Sequence, residues 1–379
     1  MDYFMPTRLY SGADCISQHA DAFCALGSSC AIVTGKHAAK ASGALDDVTR
    51  ALEAAGVTSC LWDGVTENPP VAACAEAGRF AATNNAQFIV GIGGGSALDA
   101  AKAVAVFAAN PGLDEADFYA KDWANAPLPI ALVGTTAGTG SEVTKVSVLT
   151  DSAHRKHSIH DDALYAAVAF GDSRHTHTCS LSTTLSCGVD VLAHATESYF
   201  SRKADDISRA FSVRAIRLAA GPLKLAGVGG LHTAKTLVDK LLSPSHREAL
   251  YNASILGGLA INTTGTCFPH NVGYYLTETH GVPHGFASAV FLPAMLERVR
   301  EEDPAYAAEF YEQIGLDEDA YTSLITDFCL PIELDNISMT PDEIEAALPR
   351  WENNGSVKNT RADVTTADIR EILTSLFVR

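Results

Sequence analysis

No stretch of this 379-residue chain approaches the roughly 18 to 20 uninterrupted apolar residues that a membrane-spanning helix needs. Its first residues, MDYFMPTRLYSG, lack the basic segment and apolar core of an export signal. Charged residues are scarce at 19%, against 47% apolar, which excludes a disordered chain and predicts a well-buried fold. The charge present is acidic: 27 Lys and Arg against 45 Asp and Glu give −18, with no long basic run. Such a surface repels polyanions, so nucleic acid is not expected as a partner. Nine cysteines include no CxxC pair, and an odd, scattered set reads as free buried thiols in a reducing compartment. A soluble, cytoplasmic protein without a membrane partner is expected. Internal repeats and low-complexity tracts are also absent.

The length exceeds a single core and predicts two domains. CAIVTG, ALDDVTRALEAAG, FIVGIGGGS, ALDAAKAVAVFAA and PIALVGTTAG alternate strand and helix, which predicts an α/β domain whose parallel sheet is crossed over by helices, over residues 1–178. Ligands of such a sheet lie at the carboxyl ends of its strands. Helical periodicity dominates afterwards, in LSTTLSCGVDVLAHATESYF, SRAFSVRAIRLAAGPLKLA and HREALYNASILGGLAIN, predicting an all-α domain over 179–379.

Two loops carry the signs of a nucleotide site. In FIVGIGGGSALDAAK a strand runs into Gly93, Gly94 and Gly95, and Ser96 with Asp99 reads as a capping box for the next helix. Backbone amides at a glycine-lined helix amino terminus suit a pyrophosphate, although Ser96 breaks the G-x-G-x-x-G spacing. TTAGTGSEVT likewise follows an apolar strand, and Thr135, Thr136 and Thr139 offer hydroxyls to phosphate or ribose oxygens. Their other use is to satisfy a turn's own backbone.

Asp190 and His194 stand four residues apart, one helical turn, so both project from one face and suit a single divalent ion. His270, after Pro269, and His284, at the start of HGFASAVFLPAML, complete a carboxylate and three imidazoles that leave room for a substrate oxygen. Cys267 and His280 are competitors, and His154, His157 and His160 form a polar trio that reads as solvated surface.

GVTENPP at 64–70, GGGSALDAAK at 93–102, TTAGTGSEVT at 135–144, GVDVLAHATESY at 188–199 and HGFASAVFLP at 284–293 resemble, in order, the signatures of the iron-containing (group III) alcohol dehydrogenase family. The likeness runs from about residue 8 to 300, and NTRADVTTADIREIL resembles the family's closing helix. It implies a dehydroquinate synthase-like architecture: a dinucleotide-binding domain, a helical metal-binding domain and a cleft where a small alcohol is oxidised or an aldehyde reduced. It carries metal ligation onto Asp190, His194, His270 and His284, and nucleotide contacts onto Asn68, Gly94, Gly95, Ser96, Thr135, Thr136 and Lys156. The implied metal is Fe(II), with Zn(II) compatible, and the implied assembly a homodimer.

Two positions depart from the family. Many members have a histidine four residues after the third ligand, where this chain has Tyr274, so Tyr274 or His280 is the candidate proton relay. Relatives that prefer NAD often carry an acidic residue where this chain has Gly35; with Lys36 beside it, the expected cofactor is NADP(H). Two rival functions stand beside the dehydrogenase. A dehydroquinate synthase-like lyase or cyclase would need basic residues for a phosphate-bearing substrate, whereas Phe268, Tyr274, Tyr275 and Leu276 are apolar or aromatic. A catalytically silent nucleotide-binding subunit is opposed by the intact ligand set.

Overall fold

The computed structural model describes residues 3–228, 242–331, 334 and 336–378. Contacts divide the chain into two compact units, Phe4–Cys179 and Ser180–Arg379, the latter joined by Met1–Tyr3.

In the first unit, strands β1 (Arg8–Ser11), β2 (Ser29–Thr34), β3 (Thr58–Trp62), β4 (Phe88–Gly93), β5 (Ile130–Gly134) and β8 (Val168–Gly171) form one sheet in the order β1-β8-β5-β4-β2-β3. Every pairing in it is parallel. Period-two alternation explains why the strands read as continuous apolar runs. Ala31, Val33, Ile89 and Leu132 enter one buried cluster, with helices α2 (Val71–Thr83) and α3 (Gly95–Ala109). Cys30, Ile32, Val90 and Val133 enter another, with α1 (Ala44–Ala54). Both faces are covered, as a parallel sheet requires.

Strand β2 has β3 on one side and β4 on the other. The chain therefore reverses its winding direction between β2 and β4, the crevice where open α/β sheets take ligands. Gly35 leaves β2 and Gly93 ends β4 at this place. An antiparallel hairpin, β6 (Val146–Thr150) and β7 (Lys156–His160), completes the unit's strands among the described residues.

The second unit is helical. α4 (Leu181–Tyr199) opens with Ser180, whose hydroxyl accepts the Thr183 amide, and is buried on nearly every side. α5 (Asp206–Val228) and α6 (Pro244–Thr264) pack against it. α7 (Phe268–His280) and the short α8 (His284–Ala289) follow, separated by a left-handed turn at Gly281. Beyond α8 the chain turns at Val290–Phe291 and is helical again from Leu292, with Pro293 in the first turn. No described helix is long and apolar enough to cross a membrane.

Candidate functional site

On α4, Asp190, His194 and Glu197 recur at the spacing of one helix face. α7 contributes His270 in its first turn, and α8 begins with His284. Ligand atoms of Asp190, His270 and His284 all lie within 4.8 Å of one another. Asp190 Oδ1 is the hub, 3.3 Å from His270 Nε2, 3.8 Å from His284 Nε2 and 3.9 Å from His194 Nε2. Two ligands on one tetrahedral zinc stand about 3.4 Å apart, given bonds of about 2.1 Å, so the spacing suits a shared cation. Asp190 Oδ1 and His270 Nε2 are buried, yet neither is aligned for a hydrogen bond. A buried acceptor facing imidazole nitrogens in this way fits a divalent metal. His194 stands at the margin of the triad, its ring stacked on that of His270 at 4.6 Å and 19°.

Glycines set these distances. A Cβ on Gly285 would stand 1.9 Å from the Ser186 carbonyl oxygen and 3.0 Å from Asp190 Cβ, so α8 reaches α4 only where a side chain is missing. Gly273 does the same between α7 and α8, its Cβ position being 2.6 Å from the Ala287 oxygen.

Burial pushes the Asp190 carboxyl up, but the three imidazoles outweigh it and hold the group well below the usual range. Burial likewise works to lower His270, yet Glu197 and Asp190 together raise it from 6.5 to about 10. In the metal-free protein this pairing stabilises the fold fully below pH 6.5 and is lost as pH rises through about 10. A metal must displace that proton, so apparent Zn(II) affinity should rise about tenfold per pH unit from pH 7 to 9. Chelator competition measures this, and a flat profile would contradict it.

Not every expected residue reaches this centre. His280 lies ten residues after His270 on one helix, about 15 Å along its axis, and its Nε2 pairs with Glu343 at 3.0 Å. His280, a competing ligand and candidate proton relay in the sequence, is thus engaged by Glu343 instead. Tyr274 does arrive, its ring stacked on His284 at 5.5 Å and 28°. Phe268, Tyr275 and Leu276 are buried core residues, so they say nothing about the substrate. Cys267 turns its thiol to the Glu197 carbonyl oxygen at 3.3 Å, and burial pushes that thiol well up. His157 stacks on Tyr119, His160 meets Ser158, and the 154–160 trio forms no metal-type cluster among the described residues.

The nucleotide-type residues gather on the first unit. A Cβ on Gly94 would meet the Thr136 hydroxyl at 3.0 Å, and one on Gly95 would meet Thr139 Cγ2 at 2.5 Å, so the two loops touch through their glycines. Gly93 adopts φ 153°, in the region that favours glycine. Thr135 donates its amide to Gly93, while its buried hydroxyl has no hydrogen-bond partner among the described residues. Asn68, left-handed at φ 50°, donates its amide to Ser96 Oγ at 3.3 Å and accepts from Thr150 Oγ1 at 2.9 Å. Lys156 pairs with Thr150 in the hairpin, which links it to the same group. Gly35 follows Thr34, whose hydroxyl binds the Ile92 carbonyl at 2.7 Å, and Lys36 is exposed.

The capping box is not formed. α3 starts at Gly95 without a side-chain cap, and Asp99 instead accepts from Ser141 Oγ at 2.6 Å and the Val148 amide at 2.9 Å. Beside it Lys102, fully buried, donates to the Ser141 oxygens at 2.8 Å and the Val146 carbonyl at 2.7 Å. Burial lowers the Lys102 ammonium to about 8 against the pull of Asp99 and Glu142. This pair ties the second loop to α3. The sequence reading passed over it, and over Glu197, although buried charges in motif positions are the signal for both.

Family models described as iron-containing alcohol dehydrogenase and as the C-terminal region of that family match residues 6–173 and 184–377. Alcohol dehydrogenase 4 of Schizosaccharomyces pombe is 31% identical over 304 residues, which is 80% of this chain and 69% of that protein. The crystal structure of an iron-containing alcohol dehydrogenase from Thermotoga maritima is similar at TM-score 0.86 and 30% identity, covering 99% of both chains. Sulfoacetaldehyde reductase from Bifidobacterium kashiwanohense, solved with NAD+, is similar at TM-score 0.83 and 28% identity, covering 99% of this chain and 98% of that one.

Proposed function

Given that the chain belongs to the iron-containing alcohol dehydrogenase family, we propose that it transfers a hydride between NADP(H) and a small alcohol or aldehyde with the help of one Fe(II) ion. The observation that carries this reading is the single carboxylate oxygen of Asp190 with three imidazole nitrogens 3.3 to 3.9 Å away. When bound, the metal supplies a Lewis acid that lowers the pKa of an alcohol hydroxyl, and the nicotinamide supplies the hydride acceptor. Asp190, His194, His270 and His284 would hold the metal. Nitrogen and oxygen donors accept iron or zinc, so iron rests on family membership and supply.

The amides of Gly94, Gly95 and Ser96 at the start of α3 bind the pyrophosphate. Thr135, Thr136 and Thr139 donate hydroxyls to phosphate or ribose, and Asn68 and Lys156 close the site around Ser96. The Tyr274 hydroxyl moves the proton, its ring steadied against His284. Gly35 presents no carboxylate to repel a 2′-phosphate, and Lys36 offers it a cation. The nine free cysteines suit a reducing cytoplasm, and a homodimer is the proposed assembly.

Metal-depleted protein reloaded with Fe(II) or Zn(II) and assayed on a panel of small aldehydes tests the function: turnover should return with metal. Metal-loaded protein that turns over no aldehyde on the panel would instead revive the silent-subunit reading. In the same assay kcat/KM should favour NADPH, and a preference of about tenfold or more for NADH would overturn the cofactor assignment. Gly35→Asp should shift the ratio toward NADH by about tenfold, at some cost in packing because its Cβ would stand 3.1 Å from the Val65 oxygen.

A further inference from the structure

We infer that Glu197, which neither the metal nor the substrate needs to touch, decides which nitrogen of His270 is offered to the metal. The inference rests on the metal reading above and deepens it.

Glu197 is fully buried, seven residues after Asp190 on the same helix. Its two oxygens have different duties. Oε2 accepts the backbone amide of Cys267 at 2.7 Å and that of His270 at 3.4 Å. These donors open α7, whose N-cap, Cys267, provides no side-chain cap of its own. A carboxylate from α4 therefore caps α7, and Oε2 is committed as an acceptor.

Oε1 stands 2.5 Å from His270 Nδ1. An ionised carboxylate only accepts, so Nδ1 must carry a hydrogen. A neutral imidazole has one N–H and one lone pair. With the hydrogen held at Nδ1, the lone pair is at Nε2, the atom 3.3 Å from Asp190 Oδ1. Glu197 is thus a positioning residue: one side chain starts the helix, orients the ring and selects the tautomer able to bind a cation.

Glutamine is almost the same shape and should do the opposite. Two backbone amides require an oxygen on the Oε2 side, which forces the amide NH2 of Glu197→Gln against Nδ1. Nδ1 must then accept, the ring hydrogen moves to Nε2, and an N–H is aimed where the lone pair is needed. Glu197→Asp keeps an acceptor-only group on a shorter arm and should lose less.

The test measures the Zn(II) dissociation constant of wild type, Glu197→Gln and Glu197→Asp by chelator competition. It is paired with 15N NMR of histidine-labelled, zinc-loaded wild type, with His270 assigned by its absence from His270→Asn. Expected are a protonated Nδ1 on His270 in wild type, a dissociation constant raised about 10- to 100-fold in Glu197→Gln, and a smaller rise in Glu197→Asp. An unprotonated Nδ1, or Glu197→Gln binding zinc within about threefold of wild type against that expectation, overturns the inference. Should Glu197→Gln not fold, the wild-type nitrogen spectrum decides alone. Wild type that binds no zinc at His270 would instead remove the metal reading itself.

Discussion

Asp190→Asn should cost at least about 10³-fold in kcat/KM, because polarisation by a bound cation is worth several kcal/mol and each 1.36 kcal/mol is about tenfold. The substitution preserves shape and removes the carboxylate charge from the point where three imidazoles converge. Metal content by elemental analysis should fall with activity. The fold should survive, since α4 is held by the apolar residues around Asp190, among them Val189, Val191 and Leu192. A variant that keeps both metal and turnover within about tenfold of wild type, against this cost, would show that Asp190 is no ligand.

Gly285→Ala should do comparable damage from a residue that has no side chain. The new methyl would stand 1.9 Å from the Ser186 carbonyl oxygen, and that oxygen belongs to the backbone of α4. Backbone cannot rotate away, so α8 must withdraw from α4 by about 1 Å or more and carry the adjacent His284 with it. Overpacking costs about 1–3 kcal/mol in stability, and a reacting group misplaced by about 1 Å loses about 10²-fold in rate. Gly257→Ala is the matched control on α6. Its Cβ would meet His194 Cβ and Val191 Cγ1 at 3.6 Å, an ordinary contact, and replacing a mid-helix glycine gains up to about 1 kcal/mol. Thermal melts and zinc titrations of the pair should therefore diverge, with Gly285→Ala losing stability and metal together. Equal behaviour would mean that the approach of α8 to α4 does not set the site.

Much of this was legible because it is local or periodic. CAIVTG, FIVGIGGGS and PIALVGTTAG became adjacent parallel strands, since continuous apolar runs between helical stretches have one stable arrangement, a sheet covered on both faces. Asp190 and His194 shared a face because four residues make one turn. That His270 and His284 join that face could be suggested from residue type, but Cys267 and His280 competed until the family resemblance was added, because nothing local encodes which distant helices meet.

The misreadings have physical causes as well. Ser96 and Asp99 had the spacing of a capping box, but tertiary hydrogen bonds from Ser141 and Val148 claimed the Asp99 carboxylate. His280 looked near in sequence to His284, yet a helix spreads ten residues over about 15 Å, and Glu343 from a later segment holds the ring. Glu197 has no local signal of its role at all, because its partners lie at the start of α7.

The central claim is that Asp190, His194, His270 and His284 clasp one cation. Anomalous scattering from crystals grown with Zn(II) tests it directly. The account predicts one strong peak about 2.0–2.2 Å from Asp190 Oδ1 and from the Nε2 atoms of the histidines. Zinc bound only elsewhere, as at His154, His157 and His160, or no peak beside Asp190, would contradict it.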